Sequence, residues 1–340
     1  MLLSFDIDKQ PATGEKEKII LAGDVGATKT NLALFQYKHG KLEVLSEENY
    51  RSAGYSNILS MADDFLRKQK KPDVICFGVA GPVLLGHAML SNIHWQLDSD
   101  EIAAHFGIQE TCLINDLEAT AFGLAMLTES DVTTVMAPGE NIAGNAAIIA
   151  PGTGLGEAGL YKDSNNIYHP FATEGGHCDF APRNEFDFEL YCFLRKEYEH
   201  VSWERLICGP GILNIYRFLR DVKKREEPGW LTEKFKNADP AAVISGHADQ
   251  SKICGEAMQT FVRYLAYESA NLVLKFKATG GLFIGGGIIP QIVPLIKTKL
   301  FYDSFCSSGR LNYLLEKTPV KIILNPKAAL LGAAYYALRL

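Results

Sequence analysis

IILAGDVGATKTNLALFQY, residues Ile19–Tyr37, is the stretch whose reading decides the fold. Ile19–Ala22 is a short apolar run, the pattern of a strand covered on both faces. It stops at Gly23-Asp24-Val25-Gly26-Ala27-Thr28-Lys29-Thr30. Asn31–Tyr37 then alternates well enough to return as a second strand, and Leu42–Leu45 supplies a third. The result is a meander around a turn poor in side chains, and such a turn lets backbone N–H groups approach phosphate oxygens. Asp24 offers a carboxylate that can hold Mg²⁺, directly or through water, because Mg²⁺ keeps several waters and takes one or two carboxylates. Thr28 and Lys29 can reach phosphate oxygens. The same residues also suit a tight hairpin in which Asp24 satisfies its own turn amides. No G-x-x-x-x-G-K-[ST] occurs, so the turn is not a P-loop.

Two further glycine turns follow apolar runs. Pro151-Gly152-Thr153-Gly154-Leu155-Gly156 comes after Ala146–Ala150, and Gly285-Gly286-Gly287 comes after Leu282–Ile284. Gly154, Gly156 and Gly159 satisfy G-x-G-x-x-G, but that dinucleotide fingerprint needs a helix opening at the glycines. Leu160, Tyr161 and the polar Lys162–Asn166 read instead as strand and turn. The favoured reading is a hairpin whose tip, Gly152-Thr153-Gly154, meets phosphate; an ordinary hairpin with glycines at positive φ is the plainer one. Three consecutive glycines at 285–287 cost backbone entropy, which a flat ring lying on the backbone would offset. Turns of this kind, in one order along the chain, suggest a nucleotide held from both sides.

Between the turns lie the candidate polar ligands. Asn115-Asp116 sits where a strand, Thr111–Ile114, meets a helix, Leu117–Leu127, and the carboxyl ends of strands in α/β sheets are where ligands bind. An aspartate there can accept the proton of an attacking hydroxyl, and a free aspartate, with a pKa of about 3.9, is ionised at neutral pH. Both residues are also preferred helix N-caps. Glu174-Gly175-Gly176-His177 has the spacing of a helical metal pair, but two central glycines oppose a helix. A loop offering a carboxylate and an imidazole to sugar hydroxyls fits better. A turn with His177 bonded to backbone fits equally. Glu204 reads locally as a solvated helix residue.

With 340 residues, 47% of them hydrophobic, the chain has material for two domains. A net charge of −6 removes the broad basic excess that nucleic acid or an anionic membrane would select. Seven cysteines without a C-x-x-C pair argue against a secreted disulfide framework. Asp6 and Asp8 interrupt any signal-peptide core, and no apolar run is long enough to span a membrane. The expected location is cytoplasmic, with no nucleic acid or membrane partner. Met1–Lys18 reads as a loose leader. Helices are expected at Ile58–Lys70, Glu101–Phe106, Phe186–Glu199, Ile212–Lys224, Gly246–Ala278 and Lys327–Leu340, and strands at Val74–Ala80 and Val320–Leu324. Helices alternate with strands, so the fold class is α/β.

Taken together, GDVGATKTNLALF, GVAGPV (Gly78–Val83), IND (Ile114–Asp116), PGTGLG, EGGHCDFAPRNE (Glu174–Glu185), WERLICGPGI (Trp203–Ile212) and GGG resemble bacterial-type glucokinases, of the hexokinase/actin/Hsp70-like ATPase superfamily. The resemblance covers nearly the whole chain after about Lys18. It implies a two-domain ribonuclease H-like (actin-like ATPase) fold with a cleft that closes on substrate. The smaller domain would hold residues 1–126, completed by a C-terminal helix at about 325–340, and the larger one residues 127–324. It implies ATP-dependent phosphorylation of glucose at the 6-hydroxyl, with Mg²⁺, in a homodimer. Asp116 would be the general base, and Asn92, Asn115, Glu174, His177 and Glu204 would bind the sugar. Gly23, Asp24, Val25, Gly26, Ala27, Thr28 and Lys29, with Gly152, Thr153 and Gly154, would hold phosphates, and Gly285, Gly286 and Gly287 the adenosine. Ala27 stands where the family often has a second glycine, and its methyl group is tolerable only at negative φ. The related repressor/ORF/kinase family has a zinc-binding cysteine run of which only Cys178 is present, so no structural zinc is expected. The alternatives are a kinase for fructose, mannose or an N-acetylated hexosamine, and a sugar-responsive regulator. The regulator would need a helix-turn-helix that the short leader does not supply.

Overall fold

A computed structural model of the chain describes residues 2, 3, 5, 17–90, 92–140 and 142–340. The chain divides into two compact units. One comprises Met1–Val132, Leu160–Ala172 and Asn325–Leu340, and the other Thr133–Gly159 and Thr173–Leu324. Among the described residues, no helix is long and apolar enough to cross a membrane.

The first unit is built on β1 (Lys18–Val25), β2 (Lys29–Lys38), β3 (Lys41–Arg51) and β4 (Val74–Val79). β5 (Val83–Leu84), β6 (His87–Leu90) and β7 (Trp95–Asp98) form a small sheet of their own, and β8 (Thr111–Asn115) completes the main one. The main order is β3-β2-β1-β4-β8. β1–β3 is the expected antiparallel meander, whereas β4 and β8 join in parallel. Side chains alternate across a strand. On β1, therefore, Leu21 and Val25 face a cluster with Ile58, Phe65 and Ile102, which belong to α1 (Ile58–Leu66) and α2 (Ser99–Phe106). Ile20 and Ala22 face the opposite cluster with Ala119, Leu330 and Ala333. These last come from α3 (Asp116–Gly123) and from the C-terminal helix Ala328–Tyr336.

The leader differs from its reading where it is described. Phe5 is buried, its ring 5.6 Å from that of Phe122 and 6.0 Å from that of Tyr335. Leu2 N–H donates to the Leu124 carbonyl at 3.2 Å. The remainder of that stretch, apart from Leu3, Glu17 and Lys18, lies outside the described residues, as does Ser91 beside Asn92.

The second sheet contains β9 (Val132–Met136), β10 (Ala146–Pro151), β11 (Leu155–Lys162), β12 (Tyr168–Thr173), β13 (Gly281–Ile284) and β14 (Val320–Ile323) in the order β12-β11-β10-β13-β14-β9. β10, β13 and β14 are parallel neighbours. The unit's helices are α4 (Glu185–Leu194), α5 (Gly209–Asp221), α6 (Gly229–Phe235), α7 (Pro240–Gly246), α8 (Lys252–Phe276), α9 (Val293–Ile296), α10 (Lys299–Phe305) and α11 (Asn312–Glu316). The C-terminal helix of the first unit is then α12. The expected long helix from Gly246 begins only at Lys252, because residues 247–251 turn between α7 and α8. Its buried face carries Cys254, Met258, Phe261, Leu265 and Leu272 as the periodicity requires.

α12 joins the first unit by backbone contact with α3. A Cβ on Gly332 would stand 1.7 Å from the Ala119 carbonyl oxygen, and backbone cannot yield as a side-chain end can. Gly332→Ala is therefore expected to cost about 1–3 kcal/mol or more as overpacking. Urea unfolding measures it, and an unchanged midpoint would show that α12 is not held by this approach.

Candidate active site

In the first unit, Asp24 does not end its strand but lies within β1, paired with Asn31 on β2 and Gly78 on β4. Asp116 begins α3 directly after β8, and β8 lies on the other side of β4. Both acids thus flank Gly78, where an added Cβ would meet Ala119 Cβ at 2.9 Å and the Asp116 Cα at 3.9 Å. The strand ends and this side-chain-free position open a polar corner at the carboxyl edge of the sheet.

Burial pushes the Asp24 carboxyl up to about 6, against weaker lowering by Asn31 and Lys29. Its hydrogen bond from Asn31 Nδ2 is long, 3.4 Å, and Asn31 Oδ1 is itself buried without a partner among the described residues. A desolvated carboxylate beside an orphaned amide oxygen is a pair of hard donors, the chemistry Mg²⁺ takes. Two donors fit an ion that keeps its waters. Among the described residues, no group of three or more His, Cys, Asp or Glu side chains is arranged to hold a metal alone.

Asn115 caps α3: its Oδ1 accepts from Leu117 N at 2.9 Å and Glu118 N at 3.2 Å, and its Nδ2 donates to the Gly81 carbonyl at 3.0 Å. Capping by Asn115 fixes where the helix starts and hence where Asp116 stands. Asp116 Oδ1 accepts from Leu117 N at 2.9 Å.

The first turn is Gly26–Thr28, shorter than its sequence suggests, since β1 runs on to Val25. Gly26 N–H closes it on the Lys29 carbonyl at 3.1 Å, and Ala27 is not among the residues of positive φ, so its methyl group is accommodated. Ser52, buried, donates its hydroxyl to the Gly26 carbonyl at 2.6 Å and bonds Thr30 Oγ1 at 3.0 Å. Ala27 and Thr28 line a hollow of about 570 Å³ with Arg51 and Asn92. Arg51 pairs with Lys29 across β2 and β3 and adds a cation to this wall. Ser52 and Arg51 carried no signal in sequence, because register alone brings them to the turn.

In the second unit, the remaining segments converge on one place. Gly286 has φ of +88°, and a Cβ on it would lie 2.2 Å from the Pro151 carbonyl oxygen, so the second and third glycine turns abut. Gly152 N–H donates to the Gly154 carbonyl at 2.8 Å, and Gly209 N–H to the Gly152 carbonyl at 2.9 Å. Leu155–Lys162 is a strand, as the rejection of a dinucleotide fingerprint requires. Gly175–His177 forms a single 3₁₀ turn with Glu174 and His177 exposed beside it. Trp203 N–H donates to the Cys178 carbonyl at 3.0 Å and Phe180 N–H to the Val201 carbonyl at 2.9 Å, tying this segment to the next. Glu204 follows Trp203 on a second 3₁₀ turn, and its Oε2 accepts from Leu155 N at 3.0 Å. Glu204 is thus a strut for the 151–155 turn, across 49 residues, which no local pattern reveals.

The glucokinase family model matches residues 21–340. A glucokinase of Trichormus variabilis is 38% identical, over 95% of this chain and 99% of its own length. Among solved structures, a glucokinase from an Antarctic psychrotroph superposes with a TM-score of 0.81 at 27% identity, covering 96% of this chain and 100% of that one. A ROK family glucokinase from Streptomyces griseus, in complex with glucose and AMPPNP, shares the fold at 18% identity, with a TM-score of 0.61 and coverage of 94% and 99%.

Truncating Glu204 leaves the buried Leu155 amide unpaired. Glu204→Ala is expected to lower unfolding stability by about 1.5–3 kcal/mol, the range for a hydrogen bond to a charged group. Glu204→Gln, which keeps an acceptor oxygen, should lose less than half of that. Chemical denaturation of the two variants checks the order, and equal losses would remove the strut.

Proposed function

The chain belongs to the glucokinase family, and from that premise we propose how its residues divide the work. The protein is an ATP-dependent glucose kinase that yields glucose 6-phosphate. Asp116 acts as general base on the 6-hydroxyl. The observation that supports this is its place at the carboxyl end of β8, oriented by the Asn115 cap and separated from Asp24 by the bare Gly78. Asn92, Asn115, Glu174, His177 and Glu204 take the sugar hydroxyls. Gly23 and Val25 lead β1 into the first turn and Gly26 closes it; Ala27, Thr28 and Lys29 meet phosphate oxygens, as do Thr153 and Gly154. The Gly152 amide closes its own turn and acts there by shape. Gly285, Gly286 and Gly287 pass beneath the adenosine. The ligands of the Streptomyces griseus structure are consistent with a sugar and a nucleotide bound together.

Asp24, with the Asn31 amide oxygen beside it, would hold Mg²⁺, directly or through water, and the ion when bound neutralises phosphate charge. The remaining work is positioning. Phosphoryl transfer passes through a loose transition state, so orientation of the hydroxyl supplies much of the rate, up to about 7–11 kcal/mol. Asp116 accepts the hydroxyl proton as the oxygen closes on phosphorus. We place the enzyme in the cytoplasm as a homodimer that binds no nucleic acid, in keeping with the family and with the net charge of −6.

Asp116→Asn is expected to lower kcat by about 10²–10⁴-fold, the usual worth of a general base. KM for glucose should stay within roughly threefold, since the amide keeps the contacts of the ground state. Steady-state kinetics decide it, and a kcat within about tenfold of wild type removes Asp116 from the role. In a coupled assay with glucose, fructose and mannose against several phosphoryl donors, glucose with ATP should give the highest kcat/KM. A higher value for another hexose would transfer the reading to that sugar.

A further inference from the structure

The Glu174–His177 turn rests on a second, buried carboxyl group. Glu157, on β11, is 1% exposed, and neither of its carboxyl oxygens has a hydrogen-bond partner among the described residues. A Cβ on Gly175 would come within 2.0 Å of Glu157 Oε2, so the turn lies directly against the acid. Thr173 fastens the approach: its hydroxyl donates to the Glu157 carbonyl at 2.9 Å and accepts from Gly175 N at 3.3 Å. From α8, Glu268 and Lys275 face Glu157. Glu268 is itself fully buried and accepts from Lys275 Nζ at 3.0 Å and Asn271 Nδ2 at 2.8 Å. Lys275 is therefore engaged by Glu268. The Arg183 guanidinium stands near Glu268, and the Cys178 thiol near Lys275.

An unpaired carboxylate in such a place is expensive, whereas a neutral carboxylic acid is tolerable. Burial, reinforced by the like charge of Glu268, pushes Glu157 up to about 8. At neutral pH the group under Gly175 is chiefly the uncharged acid.

We propose that Glu157 is a positioning residue for the sugar: its neutral carboxyl supports the Glu174–His177 turn, and its ionisation loosens that turn and weakens glucose binding. The inference rests on the assignment of Glu174 and His177 to glucose hydroxyls. Glu157 itself touches no substrate. Its sign follows from linkage. The folded chain holds this proton between the ordinary value of 4.5 and about 8, so the unfolded chain binds fewer protons there. Stability therefore falls as pH rises through that window and levels above it.

The test compares wild type, Glu157→Gln and Glu157→Ala by steady-state kinetics from about pH 6 to about pH 9.5, with thermal unfolding of the substrate-free protein over a range extended down to about pH 5. For wild type, KM for glucose should climb above about pH 8, by up to about tenfold per pH unit, while kcat at saturating sugar keeps its shape. Glu157→Gln mimics the neutral acid. It should hold KM within about twofold of the wild-type value at pH 7 and abolish the alkaline climb. Glu157→Ala removes the support and should raise KM several-fold at every pH. Wild-type Tm should decline between about pH 5 and pH 8, and Glu157→Gln should flatten that decline. An active Glu157→Gln enzyme that keeps the wild-type climb in KM, or the wild-type decline in Tm, overturns this inference alone. A wild-type protein that phosphorylates no glucose overturns the functional reading and this inference with it.

Discussion

The Pro151 carbonyl oxygen would lie 2.2 Å from a Cβ at position 286, and the meeting of the second unit's two glycine turns depends on that position having no side chain. Backbone meets backbone there, which brings the ends of β10 and β13 into one polar surface. Its consequences spread outward. With Pro151 fixed, the Gly152–Gly154 turn closes on itself, and Leu155 N–H points where Glu204 can accept it. The positive φ of Gly286 reinforces the requirement, because a side chain would be strained there even with room to spare. In the first unit, Gly78 plays a comparable part by keeping the interval between Asp24 and Asp116 empty of side chains.

The carboxylates that folding desolvates divide by how well they are engaged. Asp187 is fully buried and fully engaged: it accepts from the Tyr264 hydroxyl at 2.8 Å and from Arg183 N at 3.0 Å. A group so satisfied holds α4 against α8 and needs no ligand. Among the described residues, the Asp24 side chain accepts a long bond from Asn31, and the Glu157 carboxyl oxygens find no partner. Both are pushed upward by burial, and both border segments assigned to ligand binding. Desolvated acids without partners cost folding free energy. Such costs are characteristically tolerated at sites where charge is managed for chemistry.

The sequence made the repeating strand–turn units and the long helices legible, because apolar runs and three-to-four-residue periodicity report local burial. Val74–Val79 and Ala146–Pro151 were readable because strands covered on both faces need continuous apolar residues. The β5–β7 sheet was not, since Val83–Asp98 mixes polar and apolar residues around tight turns, with Leu85 and His94 at positive φ. The first turn is shorter than its sequence suggests because Asp24 looks like a turn former, yet it sits in the ladder opposite Asn31. Ser52, Arg51 and Glu157 escaped notice for a common reason. Each acts on a segment distant in sequence, through register or sheet order, and nothing in its own neighbourhood marks it.

Glu204 shows what such long-range contacts can do. One of its oxygens holds Leu155 N–H in the turn assigned to phosphate, while its residue type and place suit a sugar hydroxyl. That hydrogen bond holds the turn to the segment that follows Trp203. The Cys178–Trp203 and Phe180–Val201 hydrogen bonds tie the Glu174–His177 turn to the segment carrying Glu204. The second unit therefore behaves as one strutted surface. Glycines let its backbones touch, and the Glu204 carboxylate holds the 151–155 turn in place.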